Sequence, residues 1–188
     1  MKSIRLFLLP SLLLLLISCG PSRDHEFSKI QSAEKRLFTP SATFSKEGAD
    51  SLLGLYSQFI RDFPKDSLTR KYIFKSGNLY MTRENGPKAI EMFDLYMKNY
   101  PADVKTPMCL FFKAFIYENI FHNLDKAQET YILFIEKYPR HDFADDARMA
   151  LQNLGKTADQ MVAEFEAKKK ADDARVADSL KKAGKKKK

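Results

Sequence analysis

Few side chains in this sequence could take part in covalent, acid–base or metal chemistry. The histidines His25, His122 and His141 are scattered without the spacing of metal ligands. No GxSxG, GxxxxGK[ST] or GxGxxG motif occurs. Two carboxylate pairs, at 145–146 and 172–173, are adjacent in sequence, so their side chains point in different directions on a helix. The sequence therefore predicts no enzyme and no metal or other cofactor, with an acid–base pair as the alternative.

Cys19 has a more specific chemical context. Lys2 and Arg5 precede an apolar run from Leu6 to Ile17, which is too short for a bilayer span of about 20 residues. A basic start followed by a short apolar run is typical of a secretory signal peptide. Its ending, LISC at 16–19, resembles the lipobox of bacterial lipoproteins. An ordinary signal peptide with an incidental cysteine is the alternative.

The lipobox resemblance implies a covalent lipid anchor. In that family the cysteine thiol receives a diacylglyceryl group, the chain is cut before it, and the new amine takes an acyl chain such as palmitate. We therefore expect a signal peptide at 1–18 and lipid attachment at Cys19, where several acyl chains would give stable binding. Gly20 follows, and the enterobacterial sorting rule then favours the outer membrane, facing the periplasm. Cys109 is expected to be a small core residue.

The net charge of +8 is concentrated near the end of the chain. Residues 19–155 hold 19 basic and 18 acidic residues, whereas residues 156–188 hold 11 and 6. A nucleic-acid-binding domain usually carries its basic patch on the folded part. The distribution therefore argues against nucleic acid as a partner.

Three prolines mark an internal repeat. Pro64, Pro101 and Pro139 lie 37 and 38 residues apart, and periods of 20–50 residues indicate stacked supersecondary units. Offsets of four between the preceding apolar residues are helical spacings, and proline forbids continuation of the helix. The aromatic residues one, five and eight positions before each proline are Phe63, Phe59 and Tyr56; Tyr100, Tyr96 and Phe93; and Tyr138, Phe134 and Tyr131.

Each period contains an earlier helix, so each unit is predicted to be a helical hairpin. The pattern resembles the tetratricopeptide repeat, whose signature places large, small and aromatic residues at fixed positions before a proline. The matching residues are Ile73, Gly77, Tyr80, Ala89, Phe93 and Pro101 in one repeat, and Leu110, Ala114, Tyr117, Ala127, Tyr131 and Pro139 in the next. The resemblance implies an all-α fold, an α-α superhelix of such hairpins with a C-terminal capping helix.

Lengthened repeats ending in Tyr-Pro, on a lipoprotein, look like the BamD (YfiO)-type outer-membrane assembly lipoproteins and the short tetratricopeptide lipoproteins of Bacteroidetes. The resemblance covers about residues 50–155 and depends most on YPRHDFADDARMALQNLG at 138–155. Phe59, Tyr96 and Phe134 depart from the signature, which has a small residue there. That departure argues against carrying over the usual peptide groove.

The remaining segments are predicted to be accessory. Residues 19–48 form the anchor and linker, with a weak helical stripe within 26–37, and residues 49–155 form the repeats. Thr157 and Gln160 make a capping-box pattern at the start of a capping helix, 156–166, and residues 167–188 form a charged Lys/Ala-rich tail. Asp142 is the expected N-cap of the preceding helix.

The functional expectation is a membrane-anchored, non-enzymatic scaffold for proteins of the bacterial cell envelope, within which outer-membrane protein assembly is favoured by analogy. Its expected partners are envelope proteins such as the barrel-assembly machinery, and the membrane itself through the N-terminal lipid. The alternative is a cell-wall or lipopolysaccharide contact protein that uses the basic tail.

Overall fold

A computed structural model describes residues 22–39 and 44–185 of the 188-residue chain. These residues form eight α-helices and no β-strand. The helices are α1 Arg23–Leu37, α2 Lys46–Asp62, α3 Ser67–Thr82, α4 Gly86–Asn99, α5 Thr106–Asn119, α6 Leu124–Lys137, α7 Ala144–Asn153 and α8 Ala158–Lys185.

The helices from α1 to α7 pack as an array of antiparallel hairpins, so the predicted all-α helical-hairpin fold is confirmed. Each helix packs on the next one along the chain, and the pairs α1–α2, α3–α4 and α5–α6 each bury a hydrophobic cluster. A hairpin that is apolar on one face cannot bury that face alone, which is why neighbouring hairpins must stack.

The short turns within two of the hairpins have the same backbone conformation and the same N-cap. In the α3–α4 and α5–α6 turns, Glu84 and His122 adopt left-handed backbone conformations, with φ of 55° and 50°. Asn85 and Asn123 follow, and the side-chain oxygen of each accepts a hydrogen bond from the backbone N–H three residues later. These N-caps satisfy donors that a helix start leaves unpaired.

The segments between hairpins, here called the junctions, are residues 63–66, 100–105 and 138–143. In each, the backbone N–H two residues after the proline donates to the carbonyl of the aromatic residue before the proline, over 3.0–3.1 Å. That same residue, Asp66, Asp103 or His141, accepts a side-chain hydrogen bond from the backbone N–H two positions further on. The residues that follow each proline and lengthen the repeat therefore form the same hydrogen-bonded turn in all three junctions.

The third junction corrects one expectation. Asp142 is not the N-cap of α7, which begins after Phe143 without a side-chain cap. Instead the Nδ1 atom of His141 accepts from the backbone N–H of Phe143 at 3.2 Å. His141 occupies the position of Asp66 and Asp103, so the repeat geometry, and not the local cap preference, determines which side chain turns inward.

The predicted linker at 19–48 is also corrected, because most of its described part is helix α1. Ile30, Ala33 and Leu37 are buried in the first hydrophobic cluster, against α2. The Tyr56 hydroxyl donates to Glu34 Oε1 at 2.7 Å. The array therefore begins at Arg23, with α1 and α2 as a hairpin of their own.

The C-terminal segment starts as predicted and then differs. The capping box is present, since Gln160 N–H donates to Thr157 Oγ1 and Thr157 N–H donates to Gln160 Oε1. However, α8 runs without a break to Lys185, so the backbone shows no boundary at 166–167. Its described apolar side chains lie outside the three hydrophobic clusters, and Phe165 is 70% exposed. Helix α7 therefore closes the packed part.

Candidate binding surface

The twelve signature residues serve the packing of the hairpins. Ile73, Ala89 and Phe93 belong to the second hydrophobic cluster, and Leu110, Ala114, Ala127 and Tyr131 belong to the third. Tyr80 and Tyr117 are partly buried at the edges of those clusters, Gly77 is buried, and Pro101 and Pro139 are exposed in the junctions. These packing contacts do not assign a ligand-binding role to any of the twelve side chains.

The atoms around Gly77 explain why its position needs a small residue. A Cβ atom there would lie 2.6 Å from Cε1 of Phe93, which is fully buried in the facing helix. Real Cβ atoms do not approach a ring so closely, so α3 and α4 depend on this glycine for their spacing. Ala114 fills the corresponding position in the next hairpin.

The three aromatic residues that depart from the signature fill space between hairpin elements. Phe59 packs edge-on against Tyr72, with ring centroids 4.9 Å apart. Tyr96 packs against Phe74 at 5.6 Å, and Phe134 packs against Phe111 at 5.6 Å. Large rings therefore occupy the interior where the signature has a small residue.

A half-open cleft of about 300 Å³ lies where α1, α2 and α3 meet. Phe38 and Phe44 border it and are 56% and 42% exposed. Its volume is at the lower end of the ~300–1,000 Å³ usual for ligand pockets. The complete lining is Phe38, Phe44, Tyr56, Lys75, Asn78, Leu79 and Thr82.

The polar side of this cleft is held by one carboxylate. Glu34 Oε1 accepts from the Tyr56 hydroxyl at 2.7 Å and from Lys75 Nζ at 2.8 Å, which ties α1 to both α2 and α3. Burial, followed by the hydrogen bond to Glu34, raises the pKa of Tyr56, so the phenol stays neutral. Because Lys75 pairs with Glu34, the positive charge of Lys75 is already partly neutralised.

Asn78 supplies a polar group of the cleft without an internal partner. Its Oδ1 atom is buried and accepts no hydrogen bond from residues 22–39 or 44–185. An unsatisfied buried polar atom costs ~1–3 kcal/mol, so a donor from a bound molecule or a water molecule at this point would stabilise the folded chain. The Asn78 amide borders the cleft, but its Oδ1 atom has almost no accessible surface in this conformation.

Other chemistry is limited among residues 22–39 and 44–185. No three His, Cys, Asp or Glu side chains there come together in a way that could hold a metal ion. Of the adjacent carboxylates, Asp145 pairs with Arg148 and Asp172 pairs with Arg175. No helix in the described part is long and apolar enough to cross a membrane. The predicted signal peptide and Cys19 lie outside the described residues.

No protein-family model matches the chain, and no curated protein matches it. The sequence signals missed the cleft, because its residues come from α2, α3 and the connection between α1 and α2 and share no spacing. The stripe within 26–37 and the two phenylalanines that flank the α1–α2 connection were the available hints.

Proposed function

We propose that this chain is a lipid-anchored, non-enzymatic scaffold that binds another protein of the bacterial cell envelope. The observation that carries the proposal is the cleft with exposed aromatic borders on a hairpin array. The LISC sequence at 16–19 supports anchoring at Cys19, in the outer membrane and facing the periplasm. A role in outer-membrane protein assembly, with barrel-assembly components as partners, follows from the family resemblance.

The proposed partner element is a large apolar side chain flanked by a hydrogen-bond donor. The ring of Tyr56 and the side chain of Leu79 form the apolar part of the site. Asn78 Oδ1 is buried in the free protein, so it accepts the donor only after the Asn78 side chain turns toward the cleft. Phe38 and Phe44 then lose exposed surface when the partner binds, which provides the main driving force.

The test is crosslinking in living cells with a photoreactive amino acid at Phe38. The matched control places the same group at Glu129, which is exposed on α6. A product that forms at 38 but not at 129, contains a barrel-assembly component and is lost in Cys19→Ala supports the proposal. Equal products from both positions, or products that are independent of Cys19, contradict it.

The second candidate is a cell-wall or lipopolysaccharide contact protein. The observation that favours it is α8, whose described side chains are nearly all exposed and which carries lysines at 168–170, 181, 182 and 185. This candidate predicts salt-sensitive binding to isolated sacculi that is lost when residues 181–188 are removed. Undiminished binding by the truncated protein would eliminate it.

A further inference from the structure

The start of α1 limits how far the folded array can lie from Cys19. α1 begins at Arg23, four residues after Cys19. A trans polypeptide spans at most ~3.6 Å per residue, so Arg23 lies within about 14 Å of Cys19. Lipid on Cys19, as proposed above, would therefore hold this end of the array at the bilayer surface.

Two ion pairs connect the starts of odd-numbered helices to the junctions. Arg23 Nε donates to Asp66 Oδ2 at 3.0 Å, which attaches the first turn of α1 to the first junction. Arg70 Nη1 lies 2.7 Å from Asp103 Oδ2, which attaches the first turn of α3 to the second junction. The end of α1 nearest to Cys19 is thus the end of the array that carries the junctions.

The junctions are also neighbours of one another. A cleft of about 330 Å³ is lined by Pro64 of the first junction and Tyr100 of the second. The ring of Phe111, near the start of α5, stacks on Phe143 of the third junction with centroids 4.9 Å apart. The three junctions therefore form a row along one edge, here called the junction edge.

Apolar and basic groups predominate among the exposed residues of the junction edge. Val104 is 82% exposed, and Lys65, Arg140 and the three prolines are exposed as well. Asp142 is the exposed carboxylate of the third junction, and Asp24, Asp145 and Asp146 are exposed beside the edge in the first turns of α1 and α7. Lipid headgroups attract basic side chains and tolerate short apolar ones at their boundary with the acyl chains.

The carboxylates of the first two junctions face inward. The side chains of Asp66 and Asp103 are only 19% and 12% exposed, and each is paired with an arginine. The edge therefore does not present these two negative charges to a lipid surface.

The cleft lies at the other end of the array. Phe38, Phe44 and Thr82 belong to the ends of helices remote from the junctions. At 1.5 Å per residue, the fifteen residues of α1 separate the two ends by roughly 22 Å. An array held by its junction edge would keep the cleft clear of the headgroups.

We propose that the junction edge is a membrane-contact surface that lies against lipid headgroups and orients the cleft away from the bilayer. The inference rests on the proposed lipidation of Cys19. It adds which face of the array meets the membrane and which face stays free for a protein partner.

The test uses the lipidated full chain in phosphatidylglycerol vesicles that contain a nickel-chelating headgroup lipid, a short-range quencher of fluorescence. A fluorophore is attached at Val104→Cys, with Ala102→Cys as a second reporter on the junction edge. The control reporter is Asp125→Cys, which is exposed at the other end, in the first turn of α6. Cys109 is buried, and that burial raises its pKa to about 12, so its thiol reacts slowly with the label.

We expect quenching at 104 and 102 to exceed quenching at 125 by at least about twofold, since short-range quenching falls steeply over the length of a helix. Equal or reversed quenching, with the protein still floating with the vesicles, overturns the orientation and leaves the lipid anchor standing. Failure of the full chain to float with vesicles overturns both the anchor and the orientation. The mass of the N-terminal peptide shows separately whether Cys19 is lipidated.

Discussion

Replacing Gly77 with alanine tests whether the spacing of α3 and α4 is set by one missing methyl group. The added Cβ would lie 2.6 Å from Cε1 and 2.8 Å from Cδ1 of Phe93. Phe93 is fully buried, so its ring cannot turn into solvent to relieve the contact. Forcing a methyl group into a packed core costs ~1–3 kcal/mol. Alanine gains back about 1 kcal/mol over glycine inside a helix.

The expected net effect of Gly77→Ala is a loss of about 1 kcal/mol in the free energy of unfolding. Gly54→Ala is the matched control, because it is also a glycine inside a helix but a Cβ there meets no atom within 4 Å. It should gain about 0.5–1 kcal/mol from helix propensity alone. Urea unfolding followed by circular dichroism measures both changes.

A third variant separates the steric effect from any general weakness of α3. In a Phe93→Leu background the contact is removed, so Gly77→Ala should no longer destabilise the chain. The double-mutant cycle should then show a coupling energy above about 0.5 kcal/mol. If Gly77→Ala stabilises the chain as much as Gly54→Ala does, or if the coupling is zero, the steric reasoning is refuted.

Three further predictions concern a junction, a buried phenol and the C-terminal helix. Asp103→Ala should lower the free energy of unfolding by about 2 kcal/mol, because it leaves the buried Tyr96 hydroxyl unpaired. Asp142→Ala should change that free energy little, and urea unfolding of the two variants tests the difference. Burial alone would raise the pKa of Asp103, but the hydrogen bonds from Tyr96 and the Lys105 N–H hold that pKa below its ordinary value. Its contribution is therefore present above about pH 4 and lost as the pH falls further, and Asp103→Asn should flatten that acid limb. Burial and the hydrogen bond to Glu118 raise the pKa of Tyr131. The free energy of unfolding should therefore fall above about pH 10, and it should fall less steeply in Tyr131→Phe. Unfolding series across about pH 9–11 measure both slopes. Removal of residues 167–188 should change the free energy of unfolding by less than about 0.5 kcal/mol in urea titrations, since their described side chains are nearly all exposed. A larger loss would contradict an unpacked α8.

The repeat was predictable because its signals are local and periodic. Each proline stops a helix by its own covalent geometry, whatever lies around it. Residues spaced by four on a helix share one face, so Ala89 and Phe93 could be assigned to the core before any contact was known. The capping box of Thr157 and Gln160 is local in the same sense, and both of its hydrogen bonds are present.

The site could not be predicted in the same way, because its parts come together only in three dimensions. Asn78 occupies an ordinary helical position, and only the structure places it beside Phe38 and Tyr56 with an oxygen that has no partner in the described part of the chain. His141 gave no sign that it would replace an aspartate in a repeated turn. The pattern around Asp142 suggested a cap, but the backbone of the third junction repeats that of the first two and leaves no place for it.

The sequence by itself determined the class of fold, the repeat and the positions of the three helix stops before proline, since these depend on covalent geometry and on the spacing of apolar residues. Only the tertiary structure decided that the segment 23–37 belongs to the packed array while α8 does not. Both segments are helical and mostly polar, so their own sequences do not distinguish a packed helix from a solvated one. The difference is that α1 finds Tyr56 and Lys75 for its Glu34 and an apolar face on α2 for its buried stripe. Burial depends on such a complementary surface, which is supplied by residues distant in the chain.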